Sequence, residues 1–129
     1  MIDERFTPLP NAFAEHNGIQ VRLTEQQEGE AVLEIGPDSL NPLGRLHGGA
    51  YYTLADCADG CACRADGRRY VTLHGGIDFI RSADHGRVTA LATVRHRGGT
   101  TCQTTVEIRD EAGSLLALGD FTFFCLDHS

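Results

Sequence analysis

No uninterrupted apolar run in this 129-residue chain approaches the length that a membrane-spanning helix requires. Nor does a basic segment followed by an apolar stretch stand at its start, which reads Met-Ile-Asp-Glu-Arg-Phe. From these two absences a cytoplasmic location is expected. Basic residues are outnumbered, 11 against 18 acidic, for a net charge of −7. That deficit argues against nonspecific nucleic-acid binding. No C-x2-C pair occurs among the five cysteines, and their odd number fits reduced thiols better than a disulfide framework. Cys57, Cys61 and Cys63 form C-x3-C-x-C, which reads as small thiols packed on a helix, so no metal is expected. Linkers, internal repeats and low-complexity segments are also absent, and the length suits one domain over residues 1–129.

What is present is an orderly alternation of elements. Phe6, Leu9 and Phe13 predict a short N-terminal helix over about 6–17, ended by Gly18. Ile19 to Thr24 alternates apolar and polar residues, Gln27 to Glu30 reads as a turn, and Ala31 to Ile35 follows as a second strand. A loop carrying Asn41 leads to a long helix from about His47 to Arg64, with Ala50, Leu54, Cys57, Ala58 and Cys61 on one narrow stripe. Then come four segments rich in Val, Ile, Thr and Phe: Tyr70 to Ile80, Arg87 to Arg97, Thr101 to Arg109 and Leu115 to Cys125. A single long helix and a long antiparallel sheet bury one another only if the sheet curls around the helix, which predicts an α+β wrap.

The chemistry concentrates in one stretch, Asn41 to Asp56. Gly48 and Gly49 open the helix, so backbone N–H groups can approach a ligand closely with the positive end of the helix dipole behind them. An oxyanion suits that place. Asp56 lies eight residues on, roughly 12 Å along the axis at ~1.5 Å per residue. One copy cannot bring both groups to one carbonyl. Either the two features are unrelated, or Asp56 of a second subunit completes the site.

The string Asn41-x2-Gly44-x2-His47-Gly48-Gly49-x6-Asp56, with Val71-Thr72, Ile77-Asp78-Phe79-Ile80-Arg81, Val94-Arg95-His96-Arg97-Gly98 and the closing Glu107 to Gly113, resembles the hotdog-fold acyl-CoA thioesterases of the PaaI type. The likeness covers roughly residues 30–125. It implies a long central helix wrapped by a curved antiparallel sheet. It also implies a homodimer joined sheet edge to sheet edge, usually doubled into a homotetramer, with acyl-CoA bound at the dimer interface. In such enzymes the N–H at the position of Gly48 polarises the thioester carbonyl, the residue at Asn41 helps place water or substrate, and the carboxylate at Asp56 of the neighbouring subunit is general base or nucleophile. Thr72 matches an assisting hydroxyl. No cofactor is implied, since coenzyme A belongs to the substrate. The chain departs from its relatives at His74-Gly75-Gly76, which suggests a strand bulge or a reshaped acyl pocket, and at Arg81-Ser82, where an Arg-Pro pair is common.

Plainer readings compete at each position. Most helix aspartates are merely exposed; the resemblance favours chemistry for Asp56, and leaves Asp59 expected on the surface. His47 is read as shaping the Gly48 turn, with Gly49 beside it, and His74 and His96 as structural or lining the pocket. Arg81, Arg95 and Arg97 are candidates, as a group, for the phosphates of coenzyme A. Thioester hydrolysis is the expected activity, with an aryl or medium-chain acyl group; the alternatives are a hotdog dehydratase or hydratase, and a noncatalytic acyl-CoA-binding protein.

Overall fold

The computed structural model describes residues 10–128. Helix α1 (Ala12–His16) is started by Asn11, whose side chain accepts from the Ala14 N–H at 3.0 Å. Strands β1 (Ile19–Leu23) and β2 (Gly29–Glu34) form a hairpin, a 3-10 turn follows at Pro37–Ser39, and the long helix α2 runs over Gly48–Cys63. A second 3-10 turn, Arg64–Asp66, leads to β3 (Tyr70–Phe79), β4 (Arg87–Arg97), β5 (Thr101–Asp110) and β6 (Leu115–Cys125). The sheet order is β1-β2-β4-β5-β6-β3, and every neighbouring pair is antiparallel.

Helix α2 touches all six strands, which is the curled wrap expected from the pattern. Alternation in the strands supplies its bed: Val88, Ala90 and Ala92 from β4, Cys102, Thr104, Val106 and Ile108 from β5, and Phe121 and Phe123 from β6 are buried. Small residues let the backbones close in. A side chain at Gly29 would collide with the Ala58 carbonyl oxygen, so the start of β2 lies directly on α2. At the heart of the contact Leu54 is fully buried, and truncating such a leucine to alanine typically costs ~2–5 kcal/mol.

Several boundaries differ from the sequence reading. Within the described residues the N-terminal helix is only Ala12–His16, and the expected part over 6–9 lies outside them. Strand β2 begins at Gly29, taking residues assigned to the turn. The narrow stripe on α2 is too narrow a description, because every residue from Ala58 to Cys63 is buried. The helix leaves the surface in its second half, and with it goes the polar face. The bulge in β3 falls between Thr72 and His74, upstream of the paired glycines. Among the described residues no helix is long and apolar enough to cross a membrane, and no group of metal-ligating side chains is assembled.

Candidate active site

His47 caps α2. Its Nδ1 accepts from the Gly49 N–H at 2.8 Å, while Ala50 N–H bonds the His47 carbonyl at 2.9 Å. With Nδ1 accepting, the ring proton is placed on Nε2. These bonds leave the Gly48 N–H with no acceptor among the described residues, at the positive end of a 16-residue helix. The missing side chain at Gly48 is not needed for packing either. A Cβ there would meet the Phe79 ring at an ordinary 3.8 Å, whereas one at Gly49 would press on His47 at 3.1 Å.

The preceding loop is held by Asn41, whose Oδ1 accepts from Leu43 N–H at 2.9 Å and Arg45 N–H at 3.0 Å. Gly44 supplies the left-handed φ of 76° that this tight turn needs. Asn41 thus shapes the approach to the helix start, and its amide NH2 has no partner among the described residues. Tyr51 then pins the helix to the end of β3 with a 3.0 Å bond to the Arg81 carbonyl and an edge-on contact with Phe79 at 5.4 Å.

Two turns along, Asp56 faces the same strand, and Thr72 donates to its Oδ1 at 2.6 Å. A charge-assisted bond of this length holds the carboxylate in place. Asp56 and Thr72 therefore come together as expected, and Gly48 and Asp56 sit on one unbroken helix, too far apart to share a carbonyl. Between them lies Tyr52, which the sequence reading did not single out. The four-residue spacing of 48, 52 and 56 was the available signal.

The doubled glycines of β3 divide. A Cβ on Gly75 would fall 2.5 Å from the Tyr52 hydroxyl and would also strike Phe121, so this glycine seats two rings. Gly76 has nothing within 4 Å. His74 is exposed beside them.

The arginines divide too. Arg97 is engaged at the C-terminus of α2: it donates to the Cys63 carbonyl at 2.7 Å, the Ala62 carbonyl at 3.3 Å and the Tyr70 hydroxyl at 3.2 Å, and pairs with Asp66 at 2.9 Å. Burial opposes ionisation of Asp66, but the Tyr70 and Arg68 hydrogen bonds and the Arg97 charge outweigh it and hold its carboxyl down at about 2. Arg95 bonds Thr105 at 3.0 Å, and Arg81 keeps its guanidinium exposed.

Asp59 overturns its expectation. It is fully buried, not exposed, and among the described residues neither of its oxygens nor the nearby Thr104 hydroxyl makes a well-formed hydrogen bond. Burial pushes its carboxyl up to about 8; Thr104 tempers the shift, and Asp56 and Asp120 add to it. Burial, with Asp56 next, likewise raises the Cys57 thiol to about 11, which keeps it protonated and inert.

A family model described as the thioesterase superfamily matches residues 43–117, a span that holds Gly48, Asp56 and Thr72. The chain belongs to the thioesterase superfamily. Among its relatives, the acyl-coenzyme A thioesterase PaaI of Escherichia coli is 31% identical over 84% of this chain and 78% of its own. The solved structure of the E. coli PaaI protein superposes with a TM-score of 0.85 at 28% identity, covering 92% of this chain and 87% of that one. A thioesterase from Haemophilus influenzae superposes at 0.83 and 26%, covering 88% and 81%. The curved sheet around one long helix is the hotdog fold, and with relatives named thioesterase and neighbours solved as thioesterases the chain is a thioester hydrolase.

Proposed function

We propose that the protein hydrolyses an acyl-CoA, its acyl group aryl or medium-chain, to the free acid and coenzyme A, at sites shared between two subunits. The observation that carries this reading is the unpartnered Gly48 N–H at the head of the helix whose Asp56, two turns on, is held by Thr72. A second copy supplies what one lacks. Strand β3 is one of the two edges of the sheet, and Val71, Leu73, Phe79 and Ile80 on or beside it stand about half exposed. Such an edge calls for a partner strand, which supports a homodimer, and the resemblance to the PaaI type favours its doubling into a homotetramer.

In the shared site the thioester oxygen accepts from the Gly48 N–H, and Asp56 of the neighbouring subunit takes a proton from water as the hydroxide adds to the carbonyl carbon. The tetrahedral oxyanion gathers charge where the amide and helix dipole already point, and a donor of this kind is typically worth ~2.7–4 kcal/mol. Collapse of the intermediate breaks the C–S bond. The thiolate leaves with the proton that Asp56 held, so acid and free thiol are produced and the carboxylate is restored. The unused Asn41 amide and the exposed Arg81 guanidinium are placed to bind substrate at the loop and the strand end.

The test uses a variant the backbone accommodates. Gly48 is the first helical residue, where proline is welcome, and His47 has φ −64° and ψ 138°, the extended conformation a residue before proline requires. Gly48→Pro thus removes the donor and little else. Separately, Gly48→Pro and Asp56→Asn are each expected to be inactive in a thiol-release assay over a panel of acyl-CoAs. Refolded together, they should recover activity through mixed dimers holding one intact site. Mixed dimers without activity would overturn the shared site; water addition to an enoyl-CoA, or binding without product, would overturn hydrolysis itself.

A further inference from the structure

Helix α2 and strand β3 run past one another so that three helix positions meet three strand positions in reverse order. The Gly48 position stands 3.8 Å from the Phe79 ring, the Tyr52 hydroxyl lies on Gly75, and Asp56 is bonded to Thr72. Tyr52 is thus one turn, ~6 Å along the axis, from each of the two catalytic positions. It is also held still. Gly75 gives up its side chain to seat the hydroxyl, and the Tyr52 ring packs on Phe121 at 5.2 Å between centroids. Yet 40% of Tyr52 remains exposed, and its hydroxyl has no hydrogen-bond partner among the described residues, whereas that of Tyr51 is bonded. A large, immobilised and half-open aromatic side chain in this seam is built to touch something outside the chain.

Symmetry says where it stands. If Gly48 of each copy meets Asp56 of the other, a two-fold axis pairs antiparallel helix positions about their midpoint, and the midpoint of 48 and 56 is 52. Tyr52 would then face its own copy across the axis and border both sites. An acyl group leaving the Gly48 amide is stopped on one side by the Phe79 and Tyr51 rings. On the other it runs along the helix-facing side of β3, past Ile77, which packs toward the core, and arrives at Tyr52 on Gly75.

We propose that Tyr52 sets the acyl length this thioesterase accepts, the two phenol rings forming a common end wall where the channels of the two sites meet. This rests on the shared-site reading above. Removing the ring opens each channel toward the other, and enlarging it shortens both.

The measurement is kcat/KM over acetyl-, hexanoyl- and dodecanoyl-CoA. Tyr52→Ala should raise the dodecanoyl-to-hexanoyl ratio at least about tenfold, in line with what a few methylene contacts discriminate, and Tyr52→Trp should lower it. Tyr52→Phe, which keeps the ring, should retain the wild-type profile. Opposite shifts from Ala and Trp are what loss of stability alone would not give. An unmoved ratio in both variants overturns the proposal while leaving the shared site intact. Independently of activity, Tyr52→Cys should join two chains under a short bismaleimide well beyond the wild-type background. Failure to cross-link in a dimer that still complements between Gly48→Pro and Asp56→Asn would place Tyr52 away from the axis and likewise overturn it.

Discussion

Replacing Asp59 with asparagine should flatten the pH dependence of folding between pH 5 and 8. The carboxyl is sealed in the core without a well-formed hydrogen bond among the described residues, and burial lifts it from 3.8 to about 8. From pH 4 upward the unfolded chain releases this proton while the native chain retains it, so the native state binds more protons and stability falls as pH rises. The fall ends near pH 8, where the folded carboxyl also ionises. At 1.36 kcal/mol per pH unit, the ceiling on the loss between pH 5 and pH 8 is about 4 kcal/mol. Relaxation and water entry reduce it, and about 2 kcal/mol is a fair expectation. Asparagine keeps the shape and the cost of an unpaired polar group but does not titrate. Urea unfolding at pH 5, 6.5 and 8, at fixed protomer concentration and ionic strength, should therefore show the Asp59→Asn protein gaining on wild type at each step. Parallel stability curves would refute the argument, since they would mean that the native carboxyl ionises as readily as the unfolded one.

Asp56→Asn should lower kcat at least about a hundredfold with KM little changed, and Thr72→Val by about tenfold, because it removes only the 2.6 Å bond that orients the base. Near wild-type kcat in the Asp56→Asn protein would remove the carboxylate from the chemistry. Gly76→Val adds a side chain in open space on the face of β3 opposite Gly75 and Tyr52, so the fold should tolerate it and kcat/KM should be kept for bulky acyl-CoA and acetyl-CoA alike. A loss confined to the bulky substrate would return Gly76 to the acyl pocket. Arg97→Met should cost about 1–3 kcal/mol in urea unfolding, from the lost bonds to the Ala62 and Cys63 carbonyls, with KM for acyl-CoA unchanged. A raised KM at unchanged stability would return Arg97 to the phosphate.

The sequence shows the elements and the catalytic spacing because both are local: a glycine-opened helix start, a carboxylate two turns on, and strands divided by glycine turns. Asp59 escaped because exposure was judged from the residue type, while its burial comes from β5 and β6 closing over the second half of α2. Arg97 looked like a free cation on a strand for a similar reason. Two of its partners, carbonyls at a helix end, are 34 and 35 residues away and carry no side-chain signal. The paired glycines suggested a bulge, and the strand does bulge, but at Leu73, next to the Thr72 that meets Asp56. Gly75 is spent on Tyr52 and Phe121, a demand visible only once the helix is laid on the strand.

The sheet order also governs how the chain is made. Strand β3 is the third to emerge during synthesis, yet among the described residues its only partner strand is β6, the last. With translation at ~5–20 residues per second, an apolar ribbon waits several seconds before anything in its own chain can pair with it. For that interval Val71, Leu73 and Phe79 face chaperones and neighbouring nascent chains, and a protein cut short before Leu115 would carry β3 with no strand on either side. Nonsense and frameshift losses near the C-terminus should therefore yield insoluble product instead of a shortened enzyme.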